Sequence, residues 1–100
     1  MAIMVVFNGP TMTREQYDAL RPIVQWESDA PAGLLLHACG FDADGGLHVS
    51  DIWESGEHAQ AFFQSRLMPA FQELGINAPP PTICEAHNID AYPGIEKHAP

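Results

Sequence analysis

Residues Ile3-Met4-Val5-Val6-Phe7 are apolar on both parities of a strand, which narrows what this chain can become more than any other feature. A strand with apolar side chains on two faces needs cover above and below. With 100 residues, 46% of them hydrophobic, there is material for one such core and not for two. One domain is therefore predicted over residues 1–90, followed by a tail, 91–100, rich in Pro, Gly and charge.

Asn8-Gly9-Pro10 is expected to end the first strand. Thr13-Arg14-Glu15-Gln16 has the spacing of a capping box, and Met12 and Tyr17 fall at the two positions of a hydrophobic staple. A helix beginning there carries the stripe Tyr17, Leu20, Ile23, Val24. Pro22 is expected to kink it or to end its regular part. Strands Leu34 to Phe41 and Leu47 to Glu54 then flank Asp42-Ala43-Asp44-Gly45-Gly46, a turn-rich segment suited to a hairpin. If all five residues are loop, Phe41 faces Leu47, His37 faces Asp51 and Leu35 faces Trp53. A tighter Asp44-Gly45 turn shifts that register.

Ser55 can cap a second helix with Ala59, Phe62, Phe63 and Leu67 on one face. Pro69 is expected to interrupt it, Ala70 to Leu74 to add a further turn, and Gly75 to stop it. Pro79-Pro80-Pro81 then leads into a last strand, Thr82 to Ile89. With right-handed crossovers, β-α-β-β-α-β gives a four-stranded antiparallel sheet with both helices on one face, an α+β, ferredoxin-like arrangement. The uncovered face predicts a homodimer.

Four basic residues against 13 acidic ones give a net charge of −9, and Arg14, Arg21, Arg66 and Lys97 are scattered. That balance argues against nucleic acid and against anionic membrane surfaces as partners. No run approaches the ~20 apolar residues of a membrane helix, and the first apolar run is too short for a signal-peptide core. Cys39 and Cys84, each in an expected strand, are read as buried thiols of a cytoplasmic protein.

His37 and Asp51 are the sharpest chemical pair. A carboxylate beside an imidazole fixes its tautomer and raises its basicity, preparing a base for an acidic phenol or α-carbon; alternatively the two only satisfy each other across strands. Trp53 is either a wall for an aromatic ligand or core, and Asn8 either a pocket residue or a turn residue. Tyr17 and His87 complete the candidates for substrate contact. Glu85 and His87 with His37 and Asp51 include metal-ligand types, but without tight spacing no metal is expected. Asn8-Gly9-Pro10 lacks the repeated glycines of a phosphate loop, so no nucleotide cofactor is expected either.

Asp51-Ile52-Trp53-Glu54-Ser55-Gly56-Glu57, followed by Phe62, Leu67, Pro69 and Gly75, resembles the strand-to-helix segment of the dimeric α/β-barrel superfamily, most of all its antibiotic-biosynthesis-monooxygenase-like branch. The resemblance implies a homodimer enclosing pockets, with activities that include cofactor-free oxidation of polyketide-type aromatics, haem degradation, isomerisation and lyase chemistry. Haem-degrading members pair an Asn and a Trp, matched by Asn8 and Trp53, with a His inside the following helix. Here that helix interior offers Phe62 and Phe63, and His58 lies too early, so haem degradation is not expected. Two readings follow. One is a cofactor-independent, monooxygenase-like or isomerase-like enzyme on a small aromatic or enolisable substrate; the other is a non-enzymatic dimeric ligand-binding or accessory module.

Overall fold

The computed structural model describes residues 1–9 and 12–100; Pro10, the last residue of the expected strand stop, lies outside them. Four strands, β1 (Ile3–Gly9), β2 (Leu34–Phe41), β3 (Leu47–Trp53) and β4 (Thr82–Glu85), form one sheet in the order β2-β3-β1-β4. Every neighbouring pair is antiparallel. The doubly apolar first strand thus takes an interior place, as its composition requires. Along β3 the buried residues Leu47, Val49, Asp51 and Trp53 alternate with less buried ones, so one face is the core face. Helix α1 (Arg14–Val24) and a second helical stretch lie on it, with Leu20, Val24, Ala70 and Phe71 meeting Leu47 and Val49 in one cluster. This is the expected α+β, ferredoxin-like architecture.

Helix α1 starts as its sequence dictates. Thr13 Oγ1 accepts from the Gln16 N–H, and Gln16 Oε1 accepts from the Thr13 N–H, which satisfies two otherwise unpaired donors. Pro22 does not end it. The ring falls in the last turn, so it removes one late hydrogen bond and the helix runs on to Val24. The stop comes at Gln25, held at φ 63°, with its N–H bonded to the Arg21 carbonyl.

Ser55 caps α2 (Gly56–Phe62) by accepting from the His58 N–H. A π-helical turn, Phe63–Leu67, joins α2 directly to α3 (Met68–Leu74), and Gly75 closes the stretch at φ 69°. Pro69 therefore bends the hydrogen-bond pattern instead of interrupting the helix. Lacking an N–H, it sits at the start of α3, and the wider turn before it absorbs the mismatch through the Met68 N–H bond to the Phe63 carbonyl.

Three strand expectations change. Asn8 and Gly9 belong to β1, paired with His48 and Leu47, rather than to a turn. Leu34, not Leu35, faces Trp53: a β-bulge between Leu34 and Leu36 makes Leu35 the extra residue and turns it outward, 53% exposed. The last strand ends at Glu85, not Ile89, because its partner β1 starts at Ile3, opposite Glu85, and one further bond from the Ala86 N–H to the Ala2 carbonyl exhausts the pairing. Cys84 is exposed on this edge strand, whereas Cys39 is half-buried. Residues 93–98 form an exposed 3₁₀ turn. No helix among the described residues is long and apolar enough to cross a membrane.

Candidate functional site

The hairpin sets the site. Asp42 to Gly46 is loop in full, closed by the Asp42 N–H to the Gly46 carbonyl, so Phe41 pairs with Leu47 and His37 with Asp51. Directly opposite residues share a face, and Asp51 lies on the core face. Both side chains therefore point under the helices. Nδ1–H of His37 donates to Asp51 Oδ1 at 2.6 Å. In the neutral ring that bond leaves Nε2 as the acceptor, and the Tyr17 hydroxyl, descending from the first turn of α1, donates to it at 2.8 Å. Tyr17, His37 and Asp51 form one hydrogen-bonded chain.

Aromatic rings enclose that chain. The Tyr17 ring lies within 6° of parallel to His37, joined to it end to end through the hydroxyl, and Trp26 packs against the imidazole at 5.2 Å between centroids. Burial, and then the nearby Cys39 sulfur, push the Tyr17 phenol well above its ordinary range, so it acts as a neutral hydroxyl. Burial likewise raises the Cys39 thiol, which speaks against a nucleophilic role. Asp51 is the buried charged residue of the core, 9% exposed. A carboxylate in that position requires a partner, which His37 supplies.

Two cavities meet at Asp51. A small one of about 50 Å³ touches Tyr17, Trp26 and His37. A larger one of about 360 Å³ opens toward β1 and β4 and is walled by Val5, Phe7, Trp53, Phe62, Phe63 and Ile83. Phe7, Asp51, Trp53, Phe62 and Leu67 border both. Trp53 is almost fully buried and packs on Phe62 at 5.2 Å, so it is core and cavity wall together.

Of the residues singled out from sequence, the fold brings together His37, Asp51, Tyr17 and Trp53. Asn8 stands apart. Its even position on β1 points it to the opposite face, where its Oδ1 lies 2.7 Å from His48 Nδ1, and His48 Nε2–H in turn donates to Asp42. His87 lies past the end of β4, exposed and outside both cavities. Among the described residues no three metal-ligand side chains converge. Sequence reasoning missed Phe7 and Phe63 as walls and Trp26 as the cover of His37. The parity of Phe7 with Val5 carried a signal; Trp26, past the helix end, carried none.

No family model and no curated protein matches this chain. Solved structures do. MupZ from Pseudomonas fluorescens superposes with a TM-score of 0.66 at 9% identity, covering 93% of this chain and 96% of that one. Two structures named "putative antibiotic biosynthesis monooxygenase" follow the same path. The one from Chloroflexus aurantiacus J-10-fl has a TM-score of 0.65 at 16% identity, covering 91% of this chain and 98% of that one. The one from Nitrosomonas europaea has 0.62 at 9%, covering 86% and 90%. At such identities the likeness is one of fold, the ferredoxin-like fold, and chemistry must come from the site.

Proposed function

We propose that this chain is a proton-abstracting enzyme, independent of a bound cofactor, acting on a small, neutral, aromatic or enolisable substrate held between helices and sheet. One observation carries the reading: a hydrogen-bonded Tyr17–His37–Asp51 chain set in walls that, Gln60 apart, are apolar and aromatic. An apolar cavity with a few convergent polar groups is the usual form of a ligand site. The His37–Asp51 pair takes a proton from an acidic hydroxyl or α-carbon, and the electron pair stays on the substrate as a phenolate or enolate. Return of the proton to another carbon isomerises the substrate. Reaction of the carbanion with dioxygen instead places one oxygen atom in the substrate as a carbonyl and releases the other as water. The names of the structural neighbours support the oxygenating branch.

The reading includes a homodimer. Its support is the sheet face that no helix covers, where Met4, Val6, Leu36 and Ile52 lie together. Two free thiols fit a reducing cytoplasm.

A panel of neutral phenols and cyclic ketones, screened by melting temperature, tests the function. A ligand at about 100 times its Kd is expected to raise Tm by more than about 10 °C. Turnover of the compounds that bind is then expected to fall about 100-fold or more in His37→Ala or Asp51→Ala. Absence of any binder, or turnover indifferent to both substitutions, would remove the proposal.

A further inference from the structure

His37 is not placed to touch a substrate. Nδ1 is bound to Asp51 and Nε2 to Tyr17, so both ring nitrogens are occupied. The space beside the ring, about 50 Å³, is well below the roughly 150 Å³ of an apolar cavity that takes up benzene. Across Asp51 the situation reverses. The cavity of about 360 Å³ is of small-ligand size, and of the three hydrogen-bonded residues only Asp51 borders it. His37 draws Oδ1 toward β2. Among the described residues Oδ2 has no hydrogen-bond partner, and the large cavity lies on the β1 side of Asp51. A buried carboxylate oxygen without a donor is costly unless a ligand supplies one.

We infer that Oδ2 of Asp51, rather than the imidazole, is the atom that takes the substrate's proton, and that the substrate enters the larger cavity flat and uncharged. This rests on the proposed proton abstraction and assigns the accepting atom within it. The flatness follows from the walls Phe7, Trp53, Phe62 and Phe63. The neutrality follows from charge. None of Arg14, Arg21, Arg66 or Lys97 borders the cavity, so an anionic group there would meet the Asp51 carboxylate with no cation between them. In the step itself the substrate C–H or O–H bond breaks, its electron pair remains on the substrate, and the proton forms an O–H bond at Oδ2. His37 and Tyr17 are positioning residues: by holding Oδ1 they turn Oδ2 into the cavity. Gln60, exposed at the rim, is the other polar side chain of that wall apart from the Trp53 indole.

The test uses β-tetralone, a neutral bicyclic ketone with acidic C–H bonds, and follows its deuterium uptake by NMR in deuterium oxide. Wild type is compared with Asp51→Asn, which removes the basic oxygen, and with His37→Asn, which retains an N–H donor toward Asp51. Wild type is expected to accelerate exchange, Asp51→Asn to lose about 100-fold or more, and His37→Asn to lose at most about tenfold. The reverse ranking, or equal losses in both, overturns the assignment to Oδ2 while leaving the site proposal standing. No acceleration by wild type, or indifference of both variants, overturns both. A measurement on wild type alone is independent of how the variants fold. By tryptophan fluorescence, naphthol is expected to bind at least about 100 times more tightly than its carboxylated analogue hydroxynaphthoate, because like charges at close range repel strongly. Equal affinity for the two overturns the inference.

Discussion

At the scale of single residues, the pairing of His37 with Asp51 was readable up to one local choice: a strand period of two gives it if Asp42 to Gly46 is loop in full, and the structure makes that choice. Asn8 was not, because its face depends on how β1 registers against β3, and no local turn sets that. Tyr17 yields a prediction through its proton. In the unfolded chain its phenol ionises near the ordinary value of 10.0, whereas burial first, and Cys39 second, raise it in the folded state. Above that ordinary value the folded state binds more protons than the unfolded one, so stability is retained below it and lost as pH rises. Urea midpoints measured between about pH 9 and pH 11 are expected to fall more steeply for wild type than for Tyr17→Phe, which carries no such proton. Identical slopes would contradict the burial of this hydroxyl.

Among the elements, the joint between α1 and the second helical stretch rests on Arg66, within the π-helical turn. Its guanidinium donates to the Val24 carbonyl at 2.6 and 3.2 Å and to the Asp29 carbonyl at 2.8 Å, and it lies over the Phe62 ring. The last carbonyls of α1 have no partners within the helix, so one side chain caps α1 and anchors the loop after it. Charge-assisted bonds of this kind make Arg66→Ala a loss of about 1.5–3 kcal/mol, to be read from denaturant midpoints. Arg66→Lys is expected to recover only part of this, since an ammonium lacks the planar fork. Nothing in the sequence marked Arg66 beyond its sparse charge. Its partners are backbone carbonyls 42 and 37 positions away, which local spacing does not bring to it. The cap at Thr13 and the stop at Gly75, by contrast, are fulfilled within a few residues and were read in advance.

For the whole molecule, the sheet face opposite the helices, with Met4, Val6, Leu36 and Ile52 partly exposed on it, makes the sharpest expectation. Cys84 lies opposite Met4 and therefore on that face, exposed in the single chain. If two copies pair there, alkylation of Cys84 is expected to slow as protein concentration rises into the micromolar range, while solution scattering reports twice the mass of one chain. A monomer by scattering at those concentrations, with labelling of Cys84 unchanged, would refute the homodimer. Cys39, half-buried with a thiol raised by burial, is expected to react slowly throughout and serves as the internal control.

By itself the sequence determined the order of elements, the central place of the first strand and the helix caps, and it narrowed the hairpin register to the choice of loop length, because each follows from side-chain periodicity or from contacts a few residues apart. Tertiary structure alone decided which residues share the cavity. The β1–β3 register sent Asn8 to the far face; a single bulge exchanged Leu35 for Leu34 beside Trp53; the early end of β4 left His87 outside; and the descent of Tyr17 onto β2 occupied the His37 ring nitrogen that faces away from Asp51. These outcomes depend on packing between segments far apart in the chain, and packing is what converts a list of polar residues into a site.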